Sequence, residues 1–152
     1  MILGVISDTH GLLRPEAVAE LRGVDRIIHA GDIGGPEILA SLSQLAPVVA
    51  VRGNNDHGRW ADALPQTAVV EADGALIYVI HDAGELDLDP VAAGFAAVVA
   101  GHSHKPAQDV RGGVLWFNPG SAGPRRFKLP VAVGRLTVAA GAVRGEVLPL
   151  AV

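Results

Sequence analysis

Six short segments of the chain each offer a side chain able to ligate a metal ion. They are Asp8-Thr9-His10, Gly31-Asp32, Gly53-Asn54-Asn55-Asp56, His81-Asp82, Gly101-His102-Ser103-His104 and, in support, Asn118-Pro119-Gly120-Ser121. Most follow directly on an apolar, strand-like run, and a strand can aim its last side chains into a crevice shared with its neighbours. Asp8 and His10 lie two apart, as do His102 and His104, so each pair projects to one side of an extended backbone. Carboxylate, amide oxygen and imidazole without thiolate suit Mn²⁺, Fe or Zn²⁺. Glycines at 11, 31, 34, 53 and 101 allow tight turns and close backbone approach to ions or phosphate. Together the segments imply a site for two metal ions that acts on phosphate esters.

The elements that must position these residues can be read from hydrophobic period and turn chemistry. Residues 2–7 are apolar on both faces, as expected of a central strand. Residues 14–22 read as a helix with Pro15 in its first turn and Gly23 as its stop. A strand over 25–30, a helix over 36–44 and a strand over 47–51 follow. This β-α-β-α-β order predicts a largely parallel sheet with ligands gathering beyond the carboxyl ends of its strands, where Asp8, Asp32 and Asn54 fall. In the second half, strands over 66–71 and 75–80 meet at Asp73-Gly74, a strong hairpin signal. A short helix over 90–94 and a strand over 96–100 come next. Strands over 107–111 and 114–117 join at Gly112-Gly113, and strands over 131–138 and 142–148 join at Ala140-Gly141. So many strands with so few helices predict a four-layer α-β-β-α sandwich: two central mixed sheets flanked by helices, with the metal site at strand carboxyl ends.

Length and composition set outer bounds. A chain of 152 residues fits one domain, 1–152, with a sizeable core. Half of that chain, 49%, is hydrophobic while aromatics are only 4%, so Ala, Val, Leu and Ile must fill the interior. No run approaches the ~20 continuous apolar residues of a membrane helix. The opening Met1-Ile2-Leu3-Gly4-Val5-Ile6-Ser7 lacks a basic stretch and reads as a buried strand, not a signal peptide. The absence of Cys excludes disulfides, thiolate metal sites and cysteine nucleophiles. A net charge of −4, from 12 basic and 16 acidic residues, argues against a basic nucleic-acid groove. A cytoplasmic protein is the expectation.

The ordered set D-x-H, G-D, G-N-x-D, H, G-H-x-H resembles the calcineurin-like metallophosphoesterase superfamily. Ser7-Asp8-Thr9-His10-Gly11, Gly101-His102-Ser103-His104 and Asn118-Pro119-Gly120-Ser121 are similar to its small, single-domain bacterial and archaeal phosphodiesterase branch. The motifs run from residue 7 to residue 121 in the family's order. The resemblance implies that Asp8, His10 and His104 hold one divalent ion, that Asn54, His81 and His102 hold a second, and that Asp32 bridges both. It implies Mn²⁺ foremost, with Fe, Zn²⁺ or Ni²⁺ as alternatives, and attack on a small phosphodiester by a hydroxide bridging the ions. A phosphomonoesterase or nucleotidase using the same site, or a catalytically weak binding or scaffold protein of the same fold, are the rival readings. Dimers or larger homo-oligomers would be in keeping with small members of the family.

One position departs from the family pattern. Many members carry a His after the metal-binding Asn, where it protonates the leaving group or contacts the phosphate; here that residue is Asn55. Asn55 can donate a hydrogen bond but cannot deliver a proton, and His57 is the candidate substitute acid. His29, three residues before Asp32 in an apolar strand, reads as a hydrogen-bonded support behind the ligands. Asp56 is expected to fix its turn, and Asn118 to support the loop beneath the site. Arg125 and Arg126 read as an exposed basic pair, with contact to a substrate phosphate as the alternative.

Overall fold

The computed structural model describes residues 1–152. Strand β1 (Ile2–Ile6) alternates its side chains between two apolar layers: Leu3 and Val5 enter the space between two sheets, and Ile6 faces the helices. Helix α1 (Pro15–Leu21) begins on proline, whose missing N–H costs nothing at a helix start. It buries Ala17 and Leu21, and Gly23, at a φ of 83°, turns the chain out of it. β2 (Arg26–His29), α2 (Pro36–Ser43) and β3 (Val48–Ala50) complete the first alternating unit. A single helical turn, α3 (Arg59–Asp62), leads to the hairpin β4 (Thr67–Ala72) and β5 (Ala75–Ile80). Then follow β6 (Ala97–Val99), the hairpin β7 (Ala107–Arg111) and β8 (Val114–Asn118), and the hairpin β9 (Ala132–Ala139) and β10 (Ala142–Pro149).

Two five-stranded mixed sheets result, in the orders β10-β9-β1-β2-β3 and β4-β5-β6-β8-β7. In the first, β1, β2 and β3 are parallel and β9 runs antiparallel to β1; in the second, β5, β6 and β8 are parallel. The sheets pack face to face over Leu3, Val5, Ile28, Ile77, Val79, Phe117 and Leu136. A second apolar layer joins the first sheet to α1 and α2 through Ile27, Val133, Leu21 and Leu42. The sandwich is the architecture expected from the sequence.

The outer layer over the second sheet is made differently from the first. Tyr78, Ile80, Val98 and Val114 are covered by Leu86, Leu88 and Phe95 from a segment holding only a 3₁₀ turn at Ala83–Glu85. The helix expected over 90–94 does not form. Asp89 caps the backbone of Val91 and Ala92, and Phe95 N–H closes on the Pro90 carbonyl, so the stretch is spent in tight turns ending at Gly94. No helix is long and apolar enough to cross a membrane.

Candidate metal centre

All the expected ligands sit just beyond the carboxyl ends of parallel strands. Asp8 and His10 follow β1, Asp32 follows β2, and Asn54 follows β3; His81 follows β5, and His102 and His104 follow β6. The first four come from one sheet and the last three from the other, so the site straddles the sandwich at one edge. Backbone hydrogen bonds lock the loops together: Asp8 N–H donates to Gly31 O, His10 N–H to Asp32 O, and Gly101 N–H to His81 O.

The local backbone is bent to aim these side chains. Asp8, His10, Asp32, His102 and His104 all hold positive φ, between 46° and 71°. Each such residue costs on the order of 1–3 kcal/mol, a strain retained where the surrounding structure over-determines it. Gly53 is needed for a different reason: a Cβ there would strike both the backbone and the carboxylate of Asp32.

The donor atoms converge. His104 Nε2 lies 3.4 Å from Asp8 Oδ1, His10 Nε2 3.3 Å from His104 Nε2 and 3.7 Å from Asp32 Oδ2, and His81 Nε2 3.4 Å from Asp32 Oδ2. Asn54 Oδ1 is 3.0 Å from His81 Nε2 and 3.2 Å from His102 Nδ1. Ligand atoms sharing one ion lie roughly 3–3.4 Å apart, because each bond is about 2.1 Å long. Two groups therefore stand ready, Asp8/His10/His104 and Asp8/Asp32/His81.

Hydrogen-bond accounting supports a cation here. Asp8 Oδ1 is buried with no hydrogen-bond partner; such groups are rare and call for an explanation. It faces His104 Nε2, the ring nitrogen turned into the site. His81 donates Nδ1–H to Ala30 O at 2.7 Å, which leaves Nε2 facing the oxygens of Asn54 and Asp32. A neutral ring would turn a lone pair on those oxygens, so the position asks for a proton or a metal ion between them. The residues present fit a bound divalent metal.

Electrostatics follow the same geometry. Burial pushes the Asp8 carboxyl up, and the Ser7 hydroxyl and the charges of His81 and His104 only partly offset it. At Asp32 burial is outweighed by hydrogen bonds from His81 and Asn55, which hold its carboxyl well below the usual range. Burial also opposes a charged His81, but Asp32, the Ala30 carbonyl and Asp8 prevail and raise it. Burial lowers His104 despite Asp8, with the Arg126 and His10 charges adding to the effect.

The supporting residues fall into three groups. His29 is fully buried; Gly31 N–H donates to its Nδ1, so its Nε2–H donates to Thr9 Oγ1, which passes a hydrogen bond to Ile33 O. Asp56 is also buried and accepts from the backbone N–H groups of Ile33, Gly34 and Gly53, which ties the Asp32 loop to the Asn54 loop. Asn118 reaches Gly101 O and Ser103 Oγ and steadies the loop carrying His102 and His104.

Three residues sit differently from the expectation of direct participation. Asn55 gives its backbone N–H to Asp32 Oδ1 at 2.9 Å and its side-chain amide to Oδ2 at 3.0 Å, so it is committed to orienting a ligand. His57 is exposed and lines a hollow that adjoins the site through Asn54, together with Arg52 and Asp62, with no hydrogen bond that turns its ring toward the ligands. Arg125 points away, donating to Val152 O at 3.0 Å; its neighbour Arg126 is the one whose charge is felt at His104. Sequence reasoning overlooked Ser7, whose hydroxyl donates to Asp8 Oδ2 at 2.7 Å, and Ser121, whose hydroxyl donates to Asp8 O. Their presence inside the flanking motifs was the available signal.

Two parallel-sheet halves presenting Asp, Asn and His at a shared strand-end rim define a metal-dependent phosphoesterase class. A family model described as the calcineurin-like phosphoesterase superfamily domain matches residues 1–141, and the chain belongs to that superfamily. A probable metallophosphoesterase of Methanocaldococcus jannaschii is 41% identical over 134 residues, covering 80% of this chain and 68% of the relative. Among solved structures, an archaeal phosphodiesterase superposes with a TM-score of 0.80 at 25% identity, over 97% of this chain and 100% of that one. Wild-type Vps29 of Entamoeba histolytica in complex with Zn²⁺ shares the fold, with a TM-score of 0.75 at 23% identity over 96% of this chain and 97% of that one.

Proposed function

We propose that the protein is a phosphodiesterase using two divalent metal ions, Mn²⁺ foremost, on small phosphodiesters. Asp8, His10 and His104 would hold one ion, Asn54, His81 and His102 the other, with Asp32 between them. Bound there, the ions would polarise the phosphoryl oxygens and lower the pKa of a water nucleophile. The observation that carries the reading is the convergence of the His10, His81 and His104 Nε2 atoms on Asp8 and Asp32, with Asp8 Oδ1 buried and unpartnered.

The remaining residues set what the site does to its substrate. Ser7 and the His102 N–H hold one Asp8 oxygen and leave the other free for metal. Asn55 holds Asp32, and no side chain with an available proton stands in its place. Leaving groups must therefore depart largely unassisted, which favours aryl over alkyl esters, since a general acid typically supplies ~10²–10⁴-fold. A cleft of about 580 Å³ opens directly from Asn54, His81 and His102. It offers a seat for a second ester arm that a monoester would leave empty, and this favours diester over monoester hydrolysis.

The test is turnover of bis(4-nitrophenyl) phosphate and 4-nitrophenyl phosphate with and without added Mn²⁺. The expected result is metal-stimulated cleavage with the diester preferred, and loss of metal binding and turnover in Asp8→Asn. Absence of metal-stimulated turnover of either ester would sink the enzyme reading and favour a scaffold; a monoester preference would sink the diester assignment.

A further inference from the structure

We propose that the cleft beside the metal ligands selects phosphodiesters whose second arm carries a positive charge, such as an ammonium or quaternary ammonium group. The inference rests on the phosphodiesterase reading and narrows its substrate class. From Asn54, His81 and His102 the cleft runs across the outer face of β5, past Tyr78 and Ile80, to the segment following β5. Apart from the metal ligands, its charged lining is Asp82, Glu85 and Asp87 against Arg52 alone. Arg52 lies 3.2 Å from Asp62, so its charge is already matched. None of the three cleft carboxylates is paired with an Arg or Lys; Asp82 has only the His102 ring 3.8 Å away.

A second feature of the cleft points to an occupant. Tyr78 is only 7% exposed and lines the cleft, yet its hydroxyl hydrogen-bonds to no protein group. That hydroxyl opens into the cleft and is free to hydrogen-bond with an occupant. The cleft thus presents opposite polarities at its two ends: a cationic metal centre for the phosphate, and an uncompensated acidic wall with a free hydroxyl for the far arm. A diester with a further phosphate on that arm would place like charges together, whereas a zwitterionic diester matches both ends.

The test compares 4-nitrophenyl phosphocholine with its neutral isostere, 4-nitrophenyl 3,3-dimethylbutyl phosphate, on the metal-loaded protein. The expected result is a kcat/KM about five-fold higher for the cationic ester, the size of an exposed ion pair, carried by KM and shrinking as salt rises. In the double variant Glu85→Gln/Asp87→Asn the ratio should fall toward one; both residues are exposed, so the fold should persist. A ratio of one or less in the unmodified protein, or a ratio untouched by the double variant, overturns the subsite. If the neutral ester is cleaved without such a preference, the phosphodiesterase reading stands and only the subsite falls. If neither ester is cleaved with metal, both fall. Glycerophosphocholine and phosphatidylcholine vesicles, each as competitor of the chromogenic ester, separate a free diester from a lipid headgroup as the source. Competition by neither also overturns the proposal.

Discussion

At the scale of single residues, the buried histidine behind the site makes a prediction that needs no metal. The ordinary imidazole pKa of 6.5 is lowered to about 3 at His29, chiefly by burial, with the charge of His81 adding to it. Between those values the unfolded chain takes up a proton that the folded chain refuses. Stability should therefore rise with pH across this window and be lost on acidification, by on the order of 5 kcal/mol in all. His81, raised in the fold, contributes with the opposite sign, adding stability at low pH that fades as pH rises. Urea midpoints of wild type and His29→Gln from pH 3 to pH 7, in chelator, isolate the His29 part as a difference. Parallel curves for the two proteins would show that His29 is protonated in the fold. Asp56 offers a second residue-level prediction. Asp56→Ala strands three backbone N–H groups and should cost on the order of 4 kcal/mol. It should also weaken metal affinity about 10–100-fold, read by denaturation and by calorimetric metal titration.

At the scale of elements, the three hairpins share one turn solution, and one of them is poorly served. Asp73-Gly74, Gly112-Gly113 and Ala140-Gly141 each hold two consecutive positive φ values, as the tight turns favoured by strand twist require. Ala140 does so at a φ of 48° with a Cβ to accommodate. Its N–H is held by the Asp73 carboxylate at 3.2 Å, a bond that glycine would keep. Ala140→Gly should therefore stabilise the protein by about 1 kcal/mol, seen as a raised urea midpoint. These turns, and the strands beside them, were legible in the sequence because dipeptide chemistry and period-two alternation are local. So were β1, α1, β2 and α2, whose prolines and glycines mark their limits. The residues that the fold gathers at the strand-end rim were legible as an ordered series of motifs. What was not legible depended on partners distant in the chain. The insertion of β9 beside β1 is set by packing across the sandwich. At 90–94 Asp89 and Pro90 start a helical turn, but Gly94, at a φ of 81°, ends it at once, with Phe95 N–H returning to the Pro90 carbonyl. The commitment of Asn55 to Asp32, and of Arg125 to the last residue, become visible only once loops meet.

At the scale of the whole molecule, ligand atoms come from both sheets, so occupancy and stability must be linked. Metal would bind the folded arrangement, since the unfolded chain holds no preformed site. Saturating Mn²⁺ at about one hundred times its dissociation constant should add about 2.7 kcal/mol, raising the thermal midpoint, and chelator should reverse it. A midpoint indifferent to Mn²⁺, Zn²⁺ and Fe²⁺ alike would contradict the ligand assignment. Hydrogen exchange should slow at the strand ends of both sheets together.

The straddled rim has a further meaning in terms of chain entropy. His10 and His104 stand 94 residues apart in sequence, with their Nε2 atoms 3.3 Å apart in the fold. An ion held by both would close a covalent-like loop of that length, a constraint comparable to a disulfide, which for such a loop is worth about 4–5 kcal/mol in the simplest model. The chain contains no cysteine. Such a coordination cross-link would be made and undone by the free metal concentration, independent of redox state.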